Sequence, residues 1–324
     1  MTSTTWRRKI SDDDRLWALS VTAVLIVISL AVTVAVVAAW QIAHRTSPLV
    51  RRWSASSFPR RSAGPLSVLD SGSTGRPDER VLVLLHGLGA TGDYFGAFYD
   101  GLSRTHRVVI VDLLGFGRSL DGERTDFDVD AHVESLDRAL AALGLDRSEI
   151  VLAAHSMSSA LALTWADRNP QRTHHVYLWG PPIYPSEIAA QSLGKHYGLM
   201  ARLFALDTKW AQRACRLSCI NRDLSGRLMA LMAPRWPVEV SSAASRHTWG
   251  AHHLSLQALI LDFPWAKVLP SSAPVTIFRG TEDPFGDRTH IAKVIGSAKV
   301  VDVAGADHHL ALQHPELLFD AVAK

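Results

Sequence analysis

The chain has 324 residues, enough for one large domain with a sizeable buried core. An apolar share of 47% beside 20% charged residues excludes a disordered chain. Residues 1–65 carry nine Lys/Arg against three Asp, or +6 of the overall +3, so the rest is net −3 and nothing in it suits nucleic acid.

Residues 1–15 read as an N-terminal tail. From Leu16 to Trp40 the chain then runs 25 residues without a charge, with Trp17 and Trp40 at its ends and Arg15 and Arg45 beyond them. As a helix it spans about 37 Å, enough for a hydrocarbon core of roughly 30 Å. The run is longer than the apolar stretch of a cleavable signal peptide, so residues 16–40 are expected to be an uncleaved membrane anchor. Four basic residues before it and five after it leave the orientation open. Residues 41–65, rich in Arg, Ser and Pro, read as a juxtamembrane linker, either resting on anionic headgroups or solvated.

Beyond Pro65, short apolar runs alternate with amphipathic stretches. Strands are expected at 81–85, 107–111, 150–154, 176–179, 275–278 and 299–303. Helices are expected near 94–102, over 127–143 and over 157–167. Val129, Val133, Leu136, Leu140 and Leu143 share one helical face in the second of these. Strands apolar on both faces that alternate with helices imply a mostly parallel, covered sheet, the α/β class. The alternation stops between 185 and 265, a Leu-, Ala-, Trp- and His-rich stretch with helical spacing. That stretch reads as a helical cap inserted into a core formed by 66–184 and 266–324.

Cys215 and Cys219 stand four apart with no second Cys/His pair at ligand spacing, so no metal centre is expected. His247, His252 and His253 read as structural, with one of them open to line a pocket. Trp210, Trp236, Trp249 and Trp265 read as core residues of the cap.

The chemistry-bearing residues fall at strand ends. Ser156 lies between the 150–154 strand and the next helix, in Ala154-His155-Ser156-Met157-Ser158. A serine on a sharp strand-to-helix turn projects its hydroxyl above the sheet and needs very small residues two before and two after it. Here those are Ala154 and Ser158, where Gly-x-Ser-x-Gly has glycines. Asp283 follows the 275–278 strand, and His308 follows the 299–303 strand, with His309, Asp262 and Asp307 as the competing choices. A hydroxyl is a poor nucleophile until an imidazole takes its proton, and a carboxylate fixes that imidazole's tautomer. The His86-Gly87-Leu88-Gly89 turn after the 81–85 strand can aim the Leu88 N–H at the same place. The Met157 N–H would be the second oxyanion donor.

Residues from about 65 to 324 resemble the α/β-hydrolase superfamily. The resemblance rests on HGLGATGDYF at 86–95, DLLGFGRS at 112–119, AHSMS at 154–158, GTEDPF at 280–285 and GADHHLALQHPE at 305–316. It implies an α/β-hydrolase fold with a lid after the sixth strand, cofactor-free hydrolysis, and a Ser156–Asp283–His308 triad. Dehalogenases and epoxide hydrolases of the superfamily use Asp at the position of Ser156 and are disfavoured. The expected function is that of a membrane-anchored serine esterase or lipase-like hydrolase acting on a small ester, one with a lipid-like acyl chain fitting the apolar cap. Acyl transfer, carbon–carbon bond hydrolysis with the same triad, and a non-catalytic membrane-bound receptor are the alternatives.

Overall fold

The computed structural model describes residues 12–76, 78–186, 188–189, 209–265 and 273–323. The tail at 1–11 and the parts of the expected cap and core at 190–208 and 266–272 lie outside the described residues. Helix α1 spans Asp12–Thr46, and α2, Pro48–Arg52, follows it at the Ser47 cap. The strands are β1 Arg60–Ala63, β2 Leu66–Asp70, β3 Arg80–Leu85, β4 His106–Asp112, β5 Ile150–His155, β6 Thr173–Trp179, β7 Val275–Gly280 and β8 Lys299–Val303. They form one sheet in the order β1-β2-β4-β3-β5-β6-β7-β8. The pairs from β4–β3 to β7–β8 are parallel, and β1–β2 and β2–β4 are antiparallel.

Runs of Val, Leu and Ile with no polar break cannot face water on either side, and the sheet uses both of their faces. In β3, Val81, Val83 and Leu85 enter the core layer shared with α3 (Val129–Ala142) and α4 (Ser158–Arg168). Leu82 and Leu84 point the other way, into a layer with Phe95, Tyr99, Leu312 and Leu318. Helix α3 buries Val133, Leu136 and Leu140, the face its spacing predicts, and its N-terminus is capped by the Asp128 carboxylate on the Ala131 N–H. Trp165 of α4 is fully buried and its indole N–H donates to Asp137 of α3 at 2.7 Å.

Two stretches differ from expectation. Residues 92–104 form 3-10 turns broken at Gly96 instead of an α-helix. A Cβ at Gly96 would lie 2.5 Å from the Trp53 indole nitrogen, so the turn yields its regular helix to a close crossing of the chain. That crossing corrects the linker reading for 41–65. The Ala97 N–H donates to the Ser54 carbonyl, and Ser56 and Ser57 both donate to the Asp100 carboxylate. Arg60 of β1 bridges Asp93 at 2.6 Å and the buried Asp112 at 2.9 Å. The apolar helix also outlasts its predicted end, running to Thr46.

Between β6 and β7 the described chain is helical: α5 Lys209–Ile220, α6 Arg222–Met232, α7 Val238–Ala243 and α8 Trp249–Leu256, followed by one π-turn at Gln257–Leu261. Gly226 of α6 lets α7 approach closely, since a Cβ there would lie 3.0 Å from the Ser242 carbonyl. Helices α9 Arg288–Val294, α10 Leu310–Gln313 and α11 Glu316–Val322 complete the order.

The central strands leave no room for cavity collapse. Leu84→Ala in β3 is expected to cost about 2–5 kcal/mol of unfolding free energy. It would be read as a lower denaturant midpoint with an unchanged slope.

Candidate active site

Parallel register brings five chain segments to one edge. Leu85, Ala154 and Leu178 are neighbours across β3, β5 and β6, and Trp179 pairs with Phe278 and Gly280 with Val303. The segments that begin at His86, Ser156, Gly180, Thr281 and Ala304 therefore leave the sheet at the same edge.

Ser156 sits where β5 ends and α4 begins, with φ 55°, the one non-glycine residue in left-handed backbone among the described residues. Such a conformation costs an L-residue about 1–3 kcal/mol and persists when its surroundings over-determine it. Those surroundings are visible. The Ser156 N–H donates to the Trp179 carbonyl at 2.9 Å. Ala154 is fully buried inside β5, and the Ser158 hydroxyl lies within 2.9 Å of the Leu85 carbonyl and 3.0 Å of the His155 carbonyl. Ser158 thus fits the crowded position by satisfying its one donor on the carbonyls that crowd it.

His308 and Asp283 are both buried and in contact. With its proton on Nδ1, His308 donates toward both Asp283 oxygens, at 3.1 and 3.0 Å. The Phe285 N–H also donates to the carboxylate, at 2.8 Å, and the Phe285 ring lies 4.1 Å from the His308 ring. The imidazole against the carboxylate belongs to His308; His309 packs instead on Trp236, with ring centroids 4.4 Å apart. Burial and the charge of His308 push the His309 imidazole down to about 4.

The turn after β3 closes over Ser156. A Cβ on Gly87 would lie 3.2 Å from the Ser156 Cβ and 2.9 Å from His155 Nδ1, so only glycine fits. His86 holds the turn: the Leu113 N–H donates to its Nε2 at 3.0 Å, which leaves Nδ1–H to donate to the Gly87 carbonyl at 2.8 Å. Burial lowers the His86 pKa and keeps that ring neutral. Gly89 completes the turn with φ 66°. Met157 is fully buried at the head of α4. The backbone N–H groups of Leu88 and Met157 have no acceptor among the described residues.

Residues 80–315 match the family described as alpha/beta hydrolase fold. The chain belongs to this family. Human 1-acylglycerol-3-phosphate O-acyltransferase ABHD5 is 37% identical over 113 residues, 32% of this chain and 31% of that protein. The cis-3-alkyl-4-alkyloxetan-2-one decarboxylase of Xanthomonas campestris is 24% identical over 284 residues, 79% of this chain and 90% of that one. The chain spans about a third of the length of the relatives it matches at 37% identity. Among solved structures, a carboxylesterase of Nitrososphaera gargenis superposes with a TM-score of 0.57 at 19% identity, covering 82% of this chain and 96% of that one.

Within this alpha/beta hydrolase, one part of the site escaped the sequence reading. Gly180 has φ 53°, and a Cβ there would lie 2.7 Å from Asp283 Oδ2 and 2.9 Å from His308 Nδ1. The signal was present as Gly180-Pro181-Pro182 after β6, a string that stops a strand. His155 packs beside the Ser156 turn. Its Nε2–H donates to the His308 carbonyl at 2.9 Å, and its ring stacks on Tyr94 with centroids 5.0 Å apart. It supports the backbone that carries His308.

One described group has spacing for a metal: Cys215 Sγ, Cys219 Sγ and a His247 ring nitrogen lie within 4.8 Å of one another. Cys215 Sγ is 3.3 Å from His247 Nε2. A hydrogen bond from Cys215 draws the Cys219 thiol down to about 7, with the Arg222 charge acting in the same direction against burial. The Arg222 guanidinium beside the cluster opposes a divalent ion, so the donor set fits a metal poorly.

Burial holds the His132 and His252 rings down to about 3 and the His247 ring down to about 4. Above pH 6.5 these rings are neutral folded or unfolded. Below it the unfolded chain takes up protons that the folded chain cannot, so stability is lost as pH falls from 6.5 toward about 4. The melting temperature is expected to be level above neutrality and to drop steadily across that window. A level melting temperature down to pH 4.5 would contradict the buried neutral rings.

Proposed function

We propose that the protein is a membrane-anchored serine hydrolase of carboxylic esters. Ser156 is the nucleophile, His308 the base, and Asp283 the carboxylate that fixes the His308 tautomer. The observation that carries this reading is the left-handed backbone of Ser156 between β5 and α4. A strained serine crowded by Gly87, at the same sheet edge as the His308–Asp283 pair that packs on Gly180, has a chemical use and no evident packing use.

The proposed reaction uses these three residues in turn. Ser156 Oγ attacks the ester carbonyl carbon as its proton passes to His308 Nε2. The carbonyl oxygen gains negative charge, which the Leu88 and Met157 N–H groups receive at the positive end of α4. The C–O bond to the alcohol then breaks, and His308 returns its proton to the departing oxygen. The acyl group is left as an ester on Ser156. Water, giving a proton to His308, attacks that ester and frees the acid and the Ser156 hydroxyl. The chemistry needs no cofactor or metal.

Anchoring is supported by α1. Its Val24–Thr46 stretch has a mean hydropathy of 2.4 over its most apolar window, none of it buried against the protein. Trp40 near its C-terminal end suits the headgroup boundary. A bilayer-tethered hydrolase meets esters of membrane lipids, which makes a lipid-like acyl chain the favoured substrate class. Acyl transfer to an alcohol acceptor is the second reading, supported by the acyltransferase name of one relative over a third of its length. It uses the same residues with an alcohol in place of water, and product analysis with a competing acceptor separates the two.

Folded full-length protein is expected to label with a fluorophosphonate at Ser156. Ser156→Ala should abolish labelling and lower ester turnover about 10³-fold or more, with an unchanged melting temperature. Equal ester turnover by the two proteins would sink the assignment.

A further inference from the structure

The helices between β6 and β7 carry an outer face that is left exposed among the described residues. Leu217 and Ile220 of α5 and Leu224, Leu228, Leu231 and Met232 of α6 are each between 50% and 80% exposed. Leu224, Leu228 and Leu231 recur at helical spacing, so they form one stripe along α6, while Gly226 and Ala230 of the same helix are buried. Six large aliphatic side chains on two successive helices exceed what a soluble surface carries without a partner.

The composition around the stripe is equally specific. Six Lys/Arg stand between Lys209 and Arg235 against one acid, Asp223. Aliphatic side chains flanked by cations mark helices that lie in the boundary between anionic headgroups and acyl chains.

The place of this face fixes its occupant. Three side chains from the last turns of α1 and its cap bind the carbonyls where α6 ends. The Trp40 indole N–H donates to Leu231 at 3.0 Å, His44 Nδ1–H to Pro234 at 2.9 Å, and the Ser47 hydroxyl to Arg235 at 2.7 Å. Trp40 and His44 also stack, with centroids 4.8 Å apart. The C-terminal end of the apolar helix is thereby fastened to the C-terminal end of the apolar stripe, making the two continuous.

We infer that the outer face of α5 and α6 lies on an anionic phospholipid leaflet, the one at which the C-terminal end of α1 emerges. The inference rests on reading α1 as a membrane anchor. It makes α1 and the cap one lipid-facing unit that also meets the segment carrying His308, since Trp236, the next residue after Arg235, packs edge-on against the neighbouring His309.

The test uses the full-length chain in vesicles containing phosphatidylglycerol, with p-benzoylphenylalanine placed singly at Leu217, Leu228, Ile26 or Arg147. The Ile26 position reports the anchor, and Arg147, on the loop before β5, is fully solvent-facing. Crosslinking to labelled phosphatidylglycerol is expected at 26, 217 and 228, at least fivefold above the yield at 147. Replacing phosphatidylglycerol with phosphatidylcholine should lower the yield at 217 and 228 and leave position 26 unchanged. Lipid crosslinks at 26 with yields at 217 and 228 no higher than at 147 would overturn the cap inference and leave the anchor reading standing. No lipid crosslink at 26 would overturn both. Crosslinks from 217 or 228 to a second copy, or to residues 190–208 of the same chain, would show the face to be covered by protein and also overturn it. Melting temperatures equal to wild type confirm that each substituted chain is folded.

Discussion

Steric crowding at the end of β5 governs the arrangement around it. The chain turns from an extended strand into a helix within two residues, and it does so with Ser156 at positive φ. Every neighbour adjusts to that path. Ala154 and Ser158 stay small and Gly87 gives up its side chain beside Ser156, while Gly180 gives up its own to Asp283 and His308. The gain is a hydroxyl held rigidly above the sheet edge at the N-terminus of α4. Packing density in the interior then protects the strain, because relaxing Ser156 would shift β5 against two fully buried neighbours.

Around that turn the protein spends histidines on architecture. His86 ties the β3 turn to the segment after β4, and His155 carries the backbone of His308. Both rings are buried, and desolvation disfavours their charged forms. Neutral imidazoles suit this work because each offers one donor and one acceptor in fixed directions. The same property makes the site sensitive to acid without any of these rings touching a substrate.

The core strands and the face of α3 were legible because burial on both sides of a parallel sheet leaves an unbroken apolar signature. The contact between Asp283 and His308 was legible through strand-end position, a topological property that sequence spacing preserves. The elbow was weaker as a motif than as a place, since Ser158 substitutes hydrogen bonds for the absent side chain of glycine. What sequence hid were close approaches between distant segments. Nothing in the string around Gly96 announces Trp53, and nothing around Gly180 names the pair it shelves. The segment 41–65 misled for a related reason: Arg, Ser and Pro are residues of solvated tethers, yet here the serines and Arg60 are consumed by Asp100, Asp93 and Asp112. Polar composition reveals hydrogen-bonding capacity but not whether water or protein satisfies it.

Arg60 also determines where this protein can be cut. A soluble catalytic fragment would by habit begin after the polar stretch, near Pro65. That boundary removes β1, bares the edge of β2 to pairing with other chains, and takes away the guanidinium that bridges Asp93 and the buried Asp112. It also deletes Trp53 from the groove at Gly96. A fragment beginning at Ser47, directly after the apolar helix, keeps all of these contacts, so the folded unit starts where that helix ends and leaves almost no slack between the two.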